Sequence, residues 1–125
     1  MSRPAPLLGE LESFLRLTSV REKTISANMA NVDTPGYRTR DIDFQAELGR
    51  AMSAGTGYER NTAGPMRMEP VVREVPGLVE RADGNNVDLD REALVLSEVQ
   101  LQYQLGIQLI KDQFHQILSA INGES

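Results

Sequence analysis

Cysteine and tryptophan are absent from this 125-residue chain, and histidine occurs once, as His115. Without cysteine there is no disulfide framework, no Cys-ligated zinc, no iron–sulfur cluster and no thiol nucleophile. A single histidine excludes His-pair metal sites and leaves acid–base chemistry to carboxylates. Aromatic residues are scarce, with three Phe and three Tyr, so a core anchored on large rings is not expected. Positive charge is also in deficit. The 13 Lys+Arg against 18 Asp+Glu give a net charge of −5, which argues against nucleic acid or an anionic membrane as the main partner. No apolar run approaches the roughly 20 residues of a membrane span. The opening Met1-Ser-Arg-Pro-Ala-Pro, then Leu7-Leu8 with Glu10 and Glu12 close behind, does not read as a cleaved signal peptide. These absences point away from an enzyme and toward an interaction protein of one domain at most.

What is present divides into three parts, with boundaries at 1–36, 37–87 and 88–125. In the first, apolar or tolerant residues recur three and four apart at Leu8, Leu11, Leu15, Thr18, Ile25, Met29 and Val32, with the charged Glu22 filling one slot. This predicts a helix over 7–32 with a narrow apolar seam, entered behind Pro4 and Pro6. Asn28 and Asn31 mark its end. Thr34 is pushed to an extended conformation by the following proline, and Pro35-Gly36 supplies the central pair of a type II turn with glycine where φ is positive. In the second part, between Gly49 and Asn86, six glycines and three prolines break any helical period. The middle therefore reads as loop with short β-pieces, such as Met66–Met68 and Val71–Val75, confined to edges by Pro70 and Pro76.

The third part carries the strongest pattern. Asp88 is a good N-cap, and Asp90 and Glu92 put negative charge where the helix dipole favours it. The series Leu89, Ala93, Leu96, Gln100, Tyr103, Ile107, Ile110, Phe114, Ile117, Ile121 alternates steps of four and three, and only Gln100 is polar. A coiled-coil seam of roughly 50 Å is predicted. Leu94, Leu101 and Leu105 form a second apolar line beside it. Two helices alone bury little, and no disulfide or metal staples them, so the isolated subunit is expected to be marginal and completed by partners.

Other patterns have plainer readings. Asp83-Gly84-Asn85-Asn86-Val87-Asp88-Leu89-Asp90 is rich in oxygen ligands, yet counted from Asp83 it puts Asp88 and Leu94 where a calcium loop needs Gly and Glu; a turn and an N-cap explain it. His115 lies off the seam and reads as a surface residue. Asp41 and Asp43 lack an accompanying nucleophile or base and read as salt-bridging groups between subunits. No catalytic, cofactor-binding or metal-binding residue is assigned.

The segment Ala27–Phe44, ANMANVDTPGYRTRDIDF, resembles the N-terminal signature of bacterial flagellar axial proteins, the rod, hook and related subunits. The matching positions are Asn28, Ala30, Asn31, Thr34, Pro35, Gly36 and Tyr37, which make up the assembly motif, and Asp41–Phe44 is similar to the proximal-rod branch in particular. A second match runs Gly84–Asp90, with Glu92 and then Leu101-Gln-Tyr-Gln104. Met29 and Val99 depart from the family's usual Ile and Asn.

The resemblance implies a mainly α fold in which long N- and C-terminal helices pair as a coiled coil, the inner-tube domain, around a Gly/Pro-rich middle. The interface, for packing both within the subunit and between subunits, would comprise Leu8, Leu11, Leu15, Ile25 and Met29 with Leu89, Leu96, Tyr103, Ile107, Ile110, Phe114, Ile117 and Ile121. It implies a non-enzymatic subunit of the basal-body rod that polymerises with itself and other rod subunits, meets the membrane ring and rod-base proteins, and leaves the cytoplasm through the flagellar type III export apparatus. Phe44 and Leu48 are similar to the short export-gate element of such subunits. No cofactor, nucleic acid or membrane span is implied. Two rivals remain at this point: another small rod protein, or a soluble helical adaptor or export chaperone.

Overall fold

The computed structural model describes residues 8–54 and 69–123. Three helices and a two-stranded ribbon follow in the order α1 (Leu8–Ala30), β1 (Arg40–Ile42), α2 (Phe44–Ala54), β2 (Val72–Glu74) and α3 (Leu89–Ile121). The chain is mainly helical, as its patterning predicts. The possible strand at Met66–Met68 lies outside the described residues; Val71–Val75 contains β2.

The two long helices pack antiparallel. Asn28 meets Glu92, Arg21 comes within 3.7 Å of Glu98, and the side chains of Phe14 and Leu15 close over Gly106. Glu92, Val99 and Gly106 lie seven residues apart and are buried together, so they mark the line of α3 that α1 occupies. Within the subunit this corrects the expected register and leaves the seam's packing between subunits as the remaining expectation. Of the predicted seam, Leu96, Ile107 and Ile110 are half-buried, whereas Leu89, Tyr103, Phe114, Ile117 and Ile121 are exposed. At 3.6 residues per turn, the seam is rotated roughly 60° from the buried line. On α1, Leu11 and Ile25 are buried, and Leu8, Leu15 and Met29 are half-buried.

The physical reason for the shifted register is visible at Gly106. A Cβ there would stand 2.6 Å from Leu15 Cδ2 and 2.9 Å from Phe14 Cδ1. Close approach of the helices needs the one position on α3 without a side chain, and the bulky seam residues turn aside.

The middle segment is corrected as well. Where loop was expected, Phe44–Ala54 forms α2. Asp43 starts it, its side chain accepting from Ala46 N at 3.2 Å and its carbonyl from Glu47 N at 2.9 Å. Phe44 and Leu48, four apart, fall on one side of the helix, and Phe44 meets Phe14 edge-on with centroids 5.6 Å apart. Buried Glu47 reaches across to accept from Val71 N at 3.1 Å, which ties α2 to the entry of β2. The ribbon itself is antiparallel, pairing Arg40 with Glu74, Asp41 with Arg73 and Ile42 with Val72.

The buried apolar residues are Leu11, Leu17, Ile25, Ile42, Val87 and Val99; the buried polar ones are Thr18, Asn28, Thr39, Glu47, Asn85, Asn86 and Glu92. Among the described residues, the centre therefore holds as many polar side chains as apolar ones, and the polar ones require hydrogen-bond partners there. Gly106→Val should push the helices apart at their closest point and cost about 1–3 kcal/mol. A fall in the thermal midpoint of the purified subunit, followed by circular dichroism, would register it; an unchanged midpoint would show that Phe14 and Leu15 yield freely.

Candidate functional site

The two motifs that stand at opposite ends of the sequence fold into one hydrogen-bonded unit. Its first half is the end of α1. Asn31 N donates to Ala27 O at 3.1 Å, and its side-chain Nδ2 donates to the same carbonyl at 2.8 Å, closing the helix. Asn31 Oδ1 accepts from Thr34 Oγ1 at 2.9 Å. The turn that follows is the predicted one: Tyr37 N donates to Thr34 O at 3.1 Å, and Gly36 has φ 77°. Only glycine takes that conformation at little cost.

The second half is the segment from Arg81 to Asp88, which docks on that turn. Gly36 N donates to Asp83 O at 2.9 Å. Asn85 Nδ2 donates to Asn31 O at 2.9 Å and to Thr34 O at 2.8 Å, while its Oδ1 accepts from Val87 N. One buried amide thus serves both segments. Asn86 lies beside Thr39: its Oδ1 accepts from Thr39 N at 2.6 Å and its carbonyl from Thr39 Oγ1 at 3.1 Å. Arg81 bridges both halves through its guanidinium, donating to Val87 O and to Val32 O. Gly84, at φ 85°, sits so close that a Cβ would come within 3.3 Å of Gly36 Cα. Gly84 is thus favoured by the close approach as well as by its φ, whereas Gly36 is favoured by its φ alone.

Asn28 joins this unit to the helix pair. It is fully buried. Its Nδ2 donates to Arg40 O at 2.7 Å and to Glu92 Oε2 at 3.0 Å; its Oδ1 accepts from Tyr37 Oη at 3.0 Å and Arg40 N at 3.1 Å. Both donors and both lone pairs of the amide are used. The Glu92 carboxylate, also fully buried, is held by Asn28 and by Arg91 Nη1 at 2.7 Å. Asp88 caps α3 directly below, accepting from Asp90 N and Arg91 N.

The structure thus ties Asn28, Asn31, Thr34, Gly36 and Tyr37 of the predicted assembly motif, with Pro35 inside the turn, to residues of the second match, Asn85 and Asn86 as donors and acceptors and Glu92 as the buried anion, and adds Arg81, which neither motif singled out. The Asn-Asn pair between Gly84 and Asp88 is the available signal; Arg81 has none. Asp41 corrects another expectation. Rather than reaching between subunits, it is gripped within the chain by Arg21, with Nε to Oδ1 at 3.1 Å and Nη2 to Oδ2 at 3.2 Å. Phe44 and Leu48 are half-buried on α2, and His115 is exposed on α3. Among the described residues, no group of His, Asp and Glu is arranged to hold a metal ion.

Nothing in this geometry is a reaction centre. Apart from Asn86 Nδ2, which is buried without a hydrogen-bond partner, the amides and carboxylates described are engaged within the unit, and the arrangement fixes the exit of the chain from α1 and its return into α3. Asn28→Ala should remove four hydrogen bonds and leave the Glu92 carboxylate short of a donor, at a cost of about 2–4 kcal/mol. Urea denaturation of the subunit would show the lowered midpoint. A variant as stable as wild type would mean that water replaces the amide.

Comparison with known proteins agrees with this placement. The family model for the flagella basal body rod protein matches residues 14–38, which span most of α1 and the turn after it. The chain is 32% identical over 124 residues to the flagellar basal body rod protein FlgB of Salmonella typhimurium, covering 90% of each chain. It is 33% identical to FlgB of Escherichia coli, with 88% of each chain covered, and 36% identical to FlgB of Cereibacter sphaeroides, with 94% of each covered.

Proposed function

The chain belongs to the FlgB family of flagellar basal body rod proteins, and we propose that it polymerises through its terminal helices into the proximal rod, the shaft that carries torque and encloses the export channel. It is a structural subunit of the basal body and not an enzyme, and it assembles with other rod and basal-body components. No helix among the described residues is long and apolar enough to cross a membrane.

The observation that carries the proposal is the face of α3 left open by α1. Leu89, Tyr103, Phe114, Ile117 and Ile121 lie along one side, and Leu94, Leu101 and Leu105 along another; Phe114 is 52% exposed and Ile121 is 73% exposed. With Leu15 opposite Gly106, the last two turns of α3 run past Leu8, where the described part of α1 begins. Apolar surface on this scale is unfavourable in water. It becomes stabilising when helices of neighbouring subunits cover it, and the heptad spacing of the seam suits coiled-coil packing there. The unit formed by the two motifs holds α1 and α3 at a fixed offset, so that each subunit presents the same face.

In this reading, residues 1–36 and 88–125 form the inner-tube domain and 37–87 lies outside it. The subunit reaches the periplasmic rod through the type III export apparatus without a cleaved signal, with Phe44 and Leu48 as its export-gate element. The packing of Phe44 on Phe14 of α1 favours reading by the gate before the subunit folds. Rod-base and membrane-ring proteins are the expected neighbours at the cytoplasmic end.

Purified basal bodies from the source bacterium should contain the chain in the rod; absence from them would overturn the proposal. Phe114→Asp should change the stability of the isolated subunit by less than about 0.5 kcal/mol, since the residue is half exposed there, while abolishing rod assembly and swimming. A motile strain carrying it would remove the seam from the interface.

A further inference from the structure

We propose that two faces of α3 pack against each other between copies of this chain, Leu94, Leu101 and Leu105 of one subunit seating on the row Ile107, Phe114 and Leu118 of the next. The inference deepens the reading of the chain as a rod subunit and rests on it. All three leucines are exposed, from 56% at Leu105 to 74% at Leu94. At 3.6 residues per turn they lie roughly 140° around α3 from the buried line of Glu92, Val99 and Gly106, so α1 does not cover them. Phe114 and Leu118 are exposed and Ile107 is half-buried. Their row stands roughly 80° from the buried line, which leaves room for a further helix beside α1.

Three observations assign the occupant. The first is supply. Among the described residues, the large apolar side chains exposed outside α3 are Val71, Val72 and Val79, in β2 and the loops beside it. A copy of this chain can therefore offer a helical apolar row only from α3. The second is spacing. Each row steps by seven residues and then four, and each member of the second lies thirteen residues beyond its counterpart in the first. Two parallel α3 helices displaced by that amount, about 20 Å, set the rows opposite one another. Of the wholly apolar rows on the seam that repeat these steps, this one is turned furthest from α1. Ile110, Ile117 and Ile121 lie within roughly 20° of the buried line, and at Ile110 α1 blocks the approach. The third is charge. Asp90 and Glu98 are exposed acids in the first third of α3, whereas the last third holds Lys111 with Asp112. Parallel helices without displacement would stack the acids on themselves; the displacement brings Glu98 level with Lys111.

The two rows differ in side and in position along the helix, so the contact is heterologous. Each added copy leaves one row open at either end, and the series continues. Pairing either row with itself would close a dimer and stop.

The chain has no cysteine, so introduced thiols report this contact alone. Leu101→Cys and Phe114→Cys are combined in one chain and expressed beside the wild-type chain, which is silent in the assay and lets rods form. Purified basal bodies are oxidised and separated without reductant. A disulfide joins Cα atoms no more than about 7 Å apart, so this pair should give covalent dimers and longer ladders of the chain. Leu105→Cys with Leu118→Cys, in the same register, should match it. Leu94→Cys with Phe114→Cys is out of register by about 10 Å and should give about tenfold less product. Equal yields in and out of register would overturn the inference. So would dimers from Leu101→Cys or Phe114→Cys alone, which mark a closed pair, or products that join the chain only to a different protein. If the wild-type chain is absent from basal bodies, the reading as a rod subunit fails and the inference with it; if it is present and neither in-register pair yields dimers of the chain, only the contact fails.

Discussion

One buried amide sets the geometry on which the rest depends. Asn28 sits at the end of α1 where it touches the outgoing turn through Tyr37, the first strand through both backbone groups of Arg40, and the first turn of α3 through Glu92. A carboxylate as deeply buried as that of Glu92 is tolerated only when donors meet it. Asn28 and Arg91 supply them. Because an unmet group at such a site is costly, few arrangements of the three segments satisfy it, and the offset between the long helices is fixed with little apolar surface to help.

Polar and apolar residues divide the work unequally in this chain. A self-sufficient small domain places its leucines and isoleucines inside. Here Ile25 and Val99 are fully buried, but the larger apolar residues at the end of α3 face outward. The interior is specified by Asn28, Asn85, Asn86 and Glu92, and the apolar surface of α3 left exposed is what the proposed assembly would cover. The Arg21–Asp41 pair adds to the same design by tying α1 to β1 with a two-pronged contact, and Asn85 does so by donating to two carbonyls of the α1 exit at once.

Much of this was legible in the residues. The 3.6-residue period, Asp88 as a cap, the Pro35-Gly36 turn and the closing role of Asn31 are local properties, set within a few residues by steric and hydrogen-bonding rules. What periodicity misread was the register of α3. It ranks positions by apolarity, so it chose Tyr103, Phe114 and Ile121, whereas α1 lies on Glu92, Val99 and Gly106. One of those is charged and one has no side chain; neither can score as core until the groups across from it, Asn28, Phe14 and Leu15, are known. The helix at Phe44–Ala54 was missed for a related reason. It is short, it contains Gly49 and Gly55 follows it, and what holds it is the contact of Phe44 with Phe14 and of Glu47 with Val71, both remote in sequence.

The sequence by itself determined that this is a cysteine-free, mainly helical chain with two terminal helices and two motifs of the flagellar axial type, because composition, period and turn chemistry are carried by neighbouring residues. Only the tertiary structure decided that the two motifs are one site. Gly36 and Gly84 meet, Asn85 answers the carbonyls of Asn31 and Thr34, and Asn28 answers Glu92. Those contacts join residues about fifty to sixty positions apart, and each is specified by a partner that no local rule can identify.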